Sequence, residues 1–187
     1  MYPDLMDRIV FTEEDISRRI RDMAAEINAD FGQEPGPLTV VSILKGGFIF
    51  LADLIRAVKL DITVDFMAIT SYRESSSVSS GVRIVKDLSQ SIFDRNVLVV
   101  EDIIDTGLTL SYILRNLKER RPRELKVCTL LNRAGSRIAP LTIDYYGFEV
   151  GDEFLVGYGL DYLQKWRNLR FICTLTEKGK EGAEYEV

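Results

Sequence analysis

The stretch Val97–Leu110, VLVVEDIIDTGLTL, decides the fold of this chain. Its first four residues form an apolar run rich in β-branched side chains, which predicts a strand buried on both faces. Two acids and a short polar turn follow, and apolar residues from Leu110 to Leu117 then recur at helical spacing. Strand, loop and helix make half of a βαβ unit, and open parallel sheets bind ligands beyond the carboxyl ends of their strands. The loop is therefore the predicted binding site.

The flanking sequence repeats this alternation and predicts an α/β fold with a doubly wound, mainly parallel sheet flanked by helices. A first helix begins at Thr12 as N-cap, with Asp15 placed for a capping box, and ends before Gly32. From residue 143 onward the chain has shorter strands, many aromatic residues and several glycines, so we expect a small hood over the sheet edge. The other predicted strands cover 38–44, 62–69, 82–85 and 124–131, and a second helix covers 48–58.

Composition limits the classes of function. The 187 residues predict one domain with a sizeable core, and a net charge of −5 argues against a dedicated nucleic-acid binder. Both cysteines, Cys128 and Cys173, lie in apolar runs and are predicted to be buried, reduced thiols. The absence of histidine excludes histidine-based triads and leaves carboxylates as the ligands of any metal, which would be a hard cation. With no signal peptide and no membrane-spanning run, a cytoplasmic protein is expected.

The loop after the central strand suits a phosphorylated sugar. Backbone N–H groups at a helix N-terminus bind phosphate, and the hydroxyls of Thr106 and Thr109 can donate to it. Gly107 allows the backbone to approach closely. Glu101 and Asp102 suit vicinal ribose hydroxyls or a magnesium ion. The alternative is that these acids only cap the next helix and face water.

Two other segments have a functional and a plain interpretation. Lys45-Gly46-Gly47 follows a predicted strand and suits pyrophosphate, although a simple glycine turn with a solvated lysine is the alternative. Residues 70–80, TSYRESSSVSS, carry six serines and almost no apolar side chain. That composition predicts a loop, which is either an inert linker or a lid that closes over substrate.

VVEDIIDTGLTL resembles the phosphoribosyl pyrophosphate (PRPP) motif of purine phosphoribosyltransferases, in particular the hypoxanthine and hypoxanthine–guanine enzymes. The resemblance extends from about Arg8 to about Lys178. It implies a type I phosphoribosyltransferase fold in a single domain, residues 1–187, with a core over about 36–142. It also implies a hood made by 143–178 with the N-terminal segment, and a flexible lid over 70–81 that opens with Ser71 and Tyr72.

The same resemblance implies roles for individual residues. Asp105 is the implied catalytic base, taking the proton from N7 of the purine. In the segment EFLVGYGLDY, Phe154 is implied to stack on the base and Leu155 to bond its edge through the backbone. The implied magnesium ligands are Glu101, Asp102 and Asp161, and Asp161 also belongs to the base-binding segment. The implied PRPP-binding residues are Lys45, Gly46, Glu101, Asp102, Asp105, Thr106, Gly107, Leu108, Thr109 and Arg167.

Three particulars accompany the resemblance. The family often has a cis peptide before the lysine of its pyrophosphate loop, which here falls between Leu44 and Lys45. Arg133 stands where the family usually has a lysine over the 6-oxo group of the base, and a planar guanidinium differs in reach and angle from an ammonium. Leu108 replaces a lysine found in some relatives.

The predicted function is purine salvage: Mg²⁺-dependent transfer of ribose 5-phosphate from PRPP to N9 of hypoxanthine, or guanine, giving IMP or GMP and pyrophosphate. We expect small-molecule substrates, no nucleic-acid or membrane partner, and a homodimer or homotetramer. One alternative is a phosphoribosyltransferase for another base, such as xanthine, adenine or a pyrimidine; the acid at Asp105 argues against adenine. The other is a regulator of the same fold that senses nucleotides or binds RNA.

Overall fold

Two β-sheets organise the chain in the computed structural model, which describes residues 5–73 and 80–179. The helices are α1 (Glu13–Phe31), α2 (Phe48–Ala57) and α3 (Leu108–Glu119), with a 3₁₀ turn at Ala134–Ser136. The strands are β1 (Met6–Phe11), β2 (Leu38–Leu44), β3 (Ile62–Arg73), β4 (Ser80–Lys86), β5 (Asn96–Ile104), β6 (Glu124–Asn132), β7 (Tyr145–Glu149), β8 (Leu155–Val156) and β9 (Ile172–Leu175).

The larger sheet has six strands in the order β4-β3-β2-β5-β6-β7. All neighbours pair in parallel except β3 and β4, which pair antiparallel. The predicted doubly wound, mainly parallel sheet is therefore confirmed. The strand order reverses between β2 and β5, and the crevice beyond their carboxyl ends is where such sheets bind ligands.

Helices cover both faces of this sheet. The capping box at the start of α1 is present, since the Thr12 side chain accepts from the Asp15 N–H and the Asp15 carboxylate accepts from the Thr12 N–H. The α1 and α2 helices pack on one face, against Leu98 and its neighbours, while α3 packs on the other face, against Val99. The central strand is thus buried on both sides, as its apolar run predicts.

The smaller sheet is the hood, with antiparallel strands in the order β1-β9-β8. The prediction that the hood starts at residue 143 is wrong, because β7 pairs in parallel with β6 and extends the larger sheet, with Cys128 opposite Tyr145. The link between β6 and β7 contains a 3₁₀ turn where a helix would continue the alternation. That missing helix makes β7 look like part of the hood in the sequence.

The predicted loop over 70–81 is shorter than expected. The β3 strand continues through Ser71 and Tyr72 to Arg73, which pairs with Ser80 at the start of β4. Backbone hydrogen bonds across a hairpin need no apolar side chains, so a polar segment can extend it. The core of the predicted lid, residues 74–79, lies outside the described residues.

Two further expectations concern the cysteines and the membrane. Cys128 and Cys173 are both free and buried, as predicted. Within the described residues, no helix has the length and apolar character needed to cross a bilayer.

Candidate active site

The segment VVEDIIDTGLTL, which resembles a PRPP motif, spans the end of β5 and the start of α3. The strand continues to Ile104, so Glu101 and Asp102 are half-buried strand residues and do not belong to the loop. Asp105 is exposed, and Gly107 is the N-cap of α3 with a φ of 75°, a left-handed conformation that suits glycine. The first turn of a helix leaves backbone N–H groups without intrahelical partners, so this loop can receive a phosphate.

The phosphate loop rests on a segment that the sequence analysis overlooked. The amides of Ile138 and Ala139 both donate to the Thr106 carbonyl, at 3.0 and 3.1 Å. Arg137 donates to the Asn132 amide oxygen at 2.6 Å. The Arg137 side chain also packs closely on the loop, since a Cβ on Gly107 would lie 3.1 Å from Cδ of Arg137. No periodicity in 132–140 points to this contact, which depends on the return of the chain after β6.

Glycines allow three parts of the site to approach one another closely. The Leu44–Lys45 peptide is cis, as the resemblance implies. A Cβ on Gly46 would lie 1.7 Å from Oδ2 of Asp102, and a Cβ on Gly159 would lie 2.2 Å from the carbonyl oxygen of Gly46. The loop after β2, the end of β5 and the hood therefore meet at Gly46, and no side chain fits between them.

A methyl group at Gly46 is therefore expected to displace the Asp102 carboxylate. We predict that Gly46→Ala lowers kcat/KM for PRPP about 10²-fold, the usual cost of moving a positioned group by about 1 Å. Steady-state kinetics at varied PRPP measure it. Gly135→Ala is the matched control, because a Cβ at Gly135 meets nothing within 4 Å. Equal kinetics of the two variants would contradict this packing argument.

Two cations from different segments of the chain lie close together. Arg167 forms an ion pair with Asp161, with Nη2 2.7 Å from Oδ1, and donates from Nη1 to the Gly159 carbonyl at 2.8 Å. Lys45 reaches across from the loop after β2 and donates to Oε1 of Gln164 at 3.2 Å. The predicted pyrophosphate-binding residues Lys45 and Arg167 are thus close together, linked by a residue that the sequence analysis did not select.

The carboxylates at the end of β5 lie in a poorly solvated environment. Desolvation, together with the charge of Asp102, raises the pKa of Glu101 well above its usual value. Desolvation also raises the pKa of Asp102, and the charge of Asp161 adds to that shift while Arg167 opposes it. A divalent cation bound beside Asp102 would oppose this shift, because a nearby positive charge favours the ionised carboxylate.

The donor set fits magnesium only with help from a substrate. Among residues 5–73 and 80–179, no three acidic or cysteine side chains come together as a ready-made metal site. Mg²⁺ is commonly held by one or two carboxylates plus substrate phosphates and water. Asp102 and Asp161, which line one cavity, match that arrangement, whereas Glu101 is not among the residues lining it.

That cavity, of about 250 Å³, lies beyond the end of β5. All four predicted base-binding residues line it, together with the predicted catalytic base Asp105. Its lining residues are Asp102, Ile103, Asp105, Arg133, Phe154, Leu155, Leu160 and Asp161. The Phe154 ring is half-exposed and meets Tyr162 edge-on, with centroids 5.4 Å apart, so one face is available to a flat ligand.

Arg133 is fixed within the cavity by three acceptors. Its Nε donates to the Gly151 carbonyl and its Nη2 to the Glu153 carbonyl, each at 2.7 Å. Its Nη1 lies 3.3 Å from Oδ2 of Asp105, and the side chain is only 14% exposed. The Arg133 guanidinium is therefore held rigidly beside Asp105, the predicted general base.

The remaining predicted residues lie at the margins of this site. Leu108 and Thr109 begin α3 and are exposed beside Gly107. Ser71 and Tyr72 lie in β3, and the positions of their side chains are outside the described part of the chain.

Comparison with known proteins gives a consistent result. The model of the phosphoribosyl transferase domain family matches residues 10–163. The hypoxanthine-guanine phosphoribosyltransferase of Mycobacterium avium is 45% identical over 182 residues, covering 94% of this chain and 88% of that protein. The corresponding Bacillus subtilis protein is 40% identical over 170 residues, covering 91% and 93%. A solved structure of the Trypanosoma cruzi hypoxanthine phosphoribosyl transferase matches with a TM-score of 0.90 at 37% identity, covering 97% of each chain.

Proposed function

Since the chain belongs to the phosphoribosyl transferase family, we propose that it is a purine-salvage enzyme that transfers ribose 5-phosphate from PRPP to N9 of hypoxanthine. The observation that carries this proposal is the cavity lined by Asp105, Arg133 and Phe154, directly beside the phosphate loop at the start of α3. Asp105, which lines the cavity, directly precedes Thr106 and Gly107 at the start of α3, so one loop joins the cavity to the helix N-terminus. Guanine, which carries the same 6-oxo group, is a further expected substrate.

The phosphate loop would hold the 5-phosphate of PRPP. Backbone N–H groups at the start of α3 point away from the helix, and Thr106 and Thr109 add hydroxyl donors. Asp102, near the end of β5, lies against Gly46 and suits the ribose hydroxyls. The pyrophosphate would then lie against Lys45 and Arg167.

The base would lie in the cavity against the Phe154 ring. Leu155, in the two-residue strand β8, would offer backbone groups to the edge of the purine. Arg133 would donate to the 6-oxo oxygen from a guanidinium already held by two carbonyls. Both sheets contribute to the cavity, so we treat the chain as one functional domain.

The reaction breaks the bond between the anomeric carbon of PRPP and the pyrophosphate oxygen. Positive charge develops on the ribosyl group as pyrophosphate departs. Lys45 and Arg167 would stabilise the negative charge of the leaving pyrophosphate. Asp105 would accept the N7 proton of the purine, which makes N9 a better nucleophile. Asp102 and Asp161 would hold magnesium together with PRPP, and the cation would supply positive charge that offsets part of the pyrophosphate charge.

Removing the divalent cation is expected to weaken PRPP binding by about 10- to 100-fold, the cost of one or two lost charge-assisted contacts. Titration calorimetry of PRPP with Mg²⁺ and with EDTA measures this difference without turnover. Asp161→Asn should reduce the difference, because it removes one carboxylate. Equal PRPP affinity in both buffers would contradict the proposed metal role.

An assay with Mg-PRPP and each of hypoxanthine, guanine, xanthine and adenine tests the function directly. We expect nucleotide and pyrophosphate to form with hypoxanthine; absence of turnover with every base would favour the nucleotide-sensing regulator.

We further propose a cytoplasmic homodimer or homotetramer, and size-exclusion chromatography with light scattering tests the oligomeric state.

A further inference from the structure

Gln164 occupies an unusual turn in the hood. Tyr162 and Lys165 exchange backbone hydrogen bonds of 3.3 and 3.0 Å, so Leu163 and Gln164 form a two-residue hairpin loop. Their φ angles are 50° and 67°, which is the pattern of a type I′ turn. Such turns favour Asn-Gly, and left-handed backbone at other residues is costly and concentrates at functional sites. Leu163 and Gln164 have no intrinsic preference for this turn, so contacts with other residues must stabilise it.

The turn places the Gln164 amide oxygen between two cations. Oε1 accepts from Lys45 Nζ at 3.2 Å and from Arg167 Nη2 at 3.3 Å. The backbone N–H of Gln164 donates to Asp161 Oδ2 at 2.8 Å, and the other oxygen of Asp161 binds Arg167 at 2.7 Å. The backbone of Gln164 thus binds Asp161, which is the ion-pair partner of Arg167, and its side chain binds both Lys45 and Arg167.

This arrangement has a physical consequence for anion binding. Two cations near one point repel each other, and a lysine on a flexible stem would otherwise spread over many rotamers. A shared acceptor holds both donors in one region before an anion arrives, which lowers the ordering cost of binding. An amide oxygen carries no net charge, so it orders the cations without cancelling their attraction for phosphate.

We propose that Gln164 is a positioning residue for the pyrophosphate group, holding Lys45 and Arg167 ready to bind it. This inference rests on the proposed function, since it assumes that those two cations bind the pyrophosphate of PRPP. Gln164 itself acts through them and takes no part in proton transfer. The ammonium has three N–H donors and the guanidinium five, so both cations can keep the amide oxygen while their other N–H groups bind the polyanionic end of the substrate.

The test is Gln164→Met, which keeps the length of the side chain and removes the acceptor. The dissociation constants of PRPP and of pyrophosphate, measured with Mg²⁺ by calorimetry, are expected to rise about tenfold, on the scale of one hydrogen bond to charged groups. The KM for hypoxanthine and the melting temperature should stay unchanged. Gln164→Glu, which keeps the acceptor but adds negative charge, should also weaken pyrophosphate binding.

Leu163→Asn is the matched control, because it suits the same turn and leaves the Gln164 amide in place. Its affinity for PRPP and pyrophosphate should equal that of the unmodified protein. A rise of less than threefold in Gln164→Met would overturn the inference. So would a parallel rise in the KM for hypoxanthine with a lowered melting temperature, which indicates a structural role only.

Lys45→Met, measured alongside, separates this inference from the proposed function. If Lys45→Met weakens pyrophosphate binding and Gln164→Met does not, only the role of Gln164 is wrong. If neither variant changes pyrophosphate binding, the assignment of the pyrophosphate site fails as well.

Discussion

Asp105→Asn is expected to lower kcat by about 10²–10⁴, the usual contribution of a positioned general base. Asp105 lines the cavity proposed for the base, with an exposed carboxylate that pairs with Arg133 at 3.3 Å. Asparagine preserves the size of the side chain but cannot accept the N7 proton. Arg133 keeps its bonds to the Gly151 and Glu153 carbonyls, so the cavity should keep its shape. Single-turnover kinetics with saturating hypoxanthine and PRPP measure the change.

Binding measurements separate lost chemistry from lost structure. The affinity of Asp105→Asn for PRPP should remain near that of the unmodified protein, because the phosphate loop donates from its backbone. Asp152→Asn is a suitable control, since Asp152 is an exposed acid bonded to Ser136 and does not line the cavity. Turnover of Asp105→Asn within a factor of a few of the control would remove Asp105 from the mechanism.

The larger sheet could be predicted because its central strands are visible in the local sequence as apolar runs. Val97, Leu98, Val99 and Val100 are consecutive apolar residues, and a strand that buries all four must be covered on both faces. The following acids and the DTG turn then fall at the ligand-binding end of the sheet by a general rule of such folds. The phosphate loop therefore followed from the local sequence together with that rule.

The hood could be predicted only in outline. The strand β1, MDRIVF, is half-exposed and interrupted by charges, so its pairing with β9 depends on residues more than 160 positions away. The strand β7 joins the larger sheet through a link without a helix, which hides its parallel pairing with β6. Long-range pairing of short strands leaves little trace in local periodicity.

Contacts between separate loops could not be predicted from the sequence. The cis peptide at Leu44–Lys45 was implied by resemblance alone, since nothing in the local composition indicates it. The role of Gln164 depends on left-handed backbone at two residues that rarely adopt it, and on a lysine 119 positions away. The three acceptors of Arg133 likewise come from other segments of the chain.

Those acceptors support the second large effect, the choice of base. The guanidinium has five N–H donors, and three of them are directed at Gly151, Glu153 and Asp105. Arg133 has no acceptor, so beside the six-position it matches the carbonyl of a 6-oxopurine. Adenine would place an amino group there, leaving two donors facing each other with no acceptor between them. A site built to bond one group commonly rejects the analogue that lacks it by about 10⁴.

We therefore predict that kcat/KM for hypoxanthine exceeds that for adenine by about 10⁴. Arg133→Met should lose most activity on hypoxanthine, while adenine stays poor or improves slightly, because the methionine neither donates nor repels. Arg133→Lys is the matched control, since an ammonium keeps the donor character and should keep the preference for 6-oxopurines. Measuring both bases on all three proteins decides the matter. Adenine turnover within tenfold of hypoxanthine in the unmodified protein would show that Arg133, although fixed in the cavity, does not select the base.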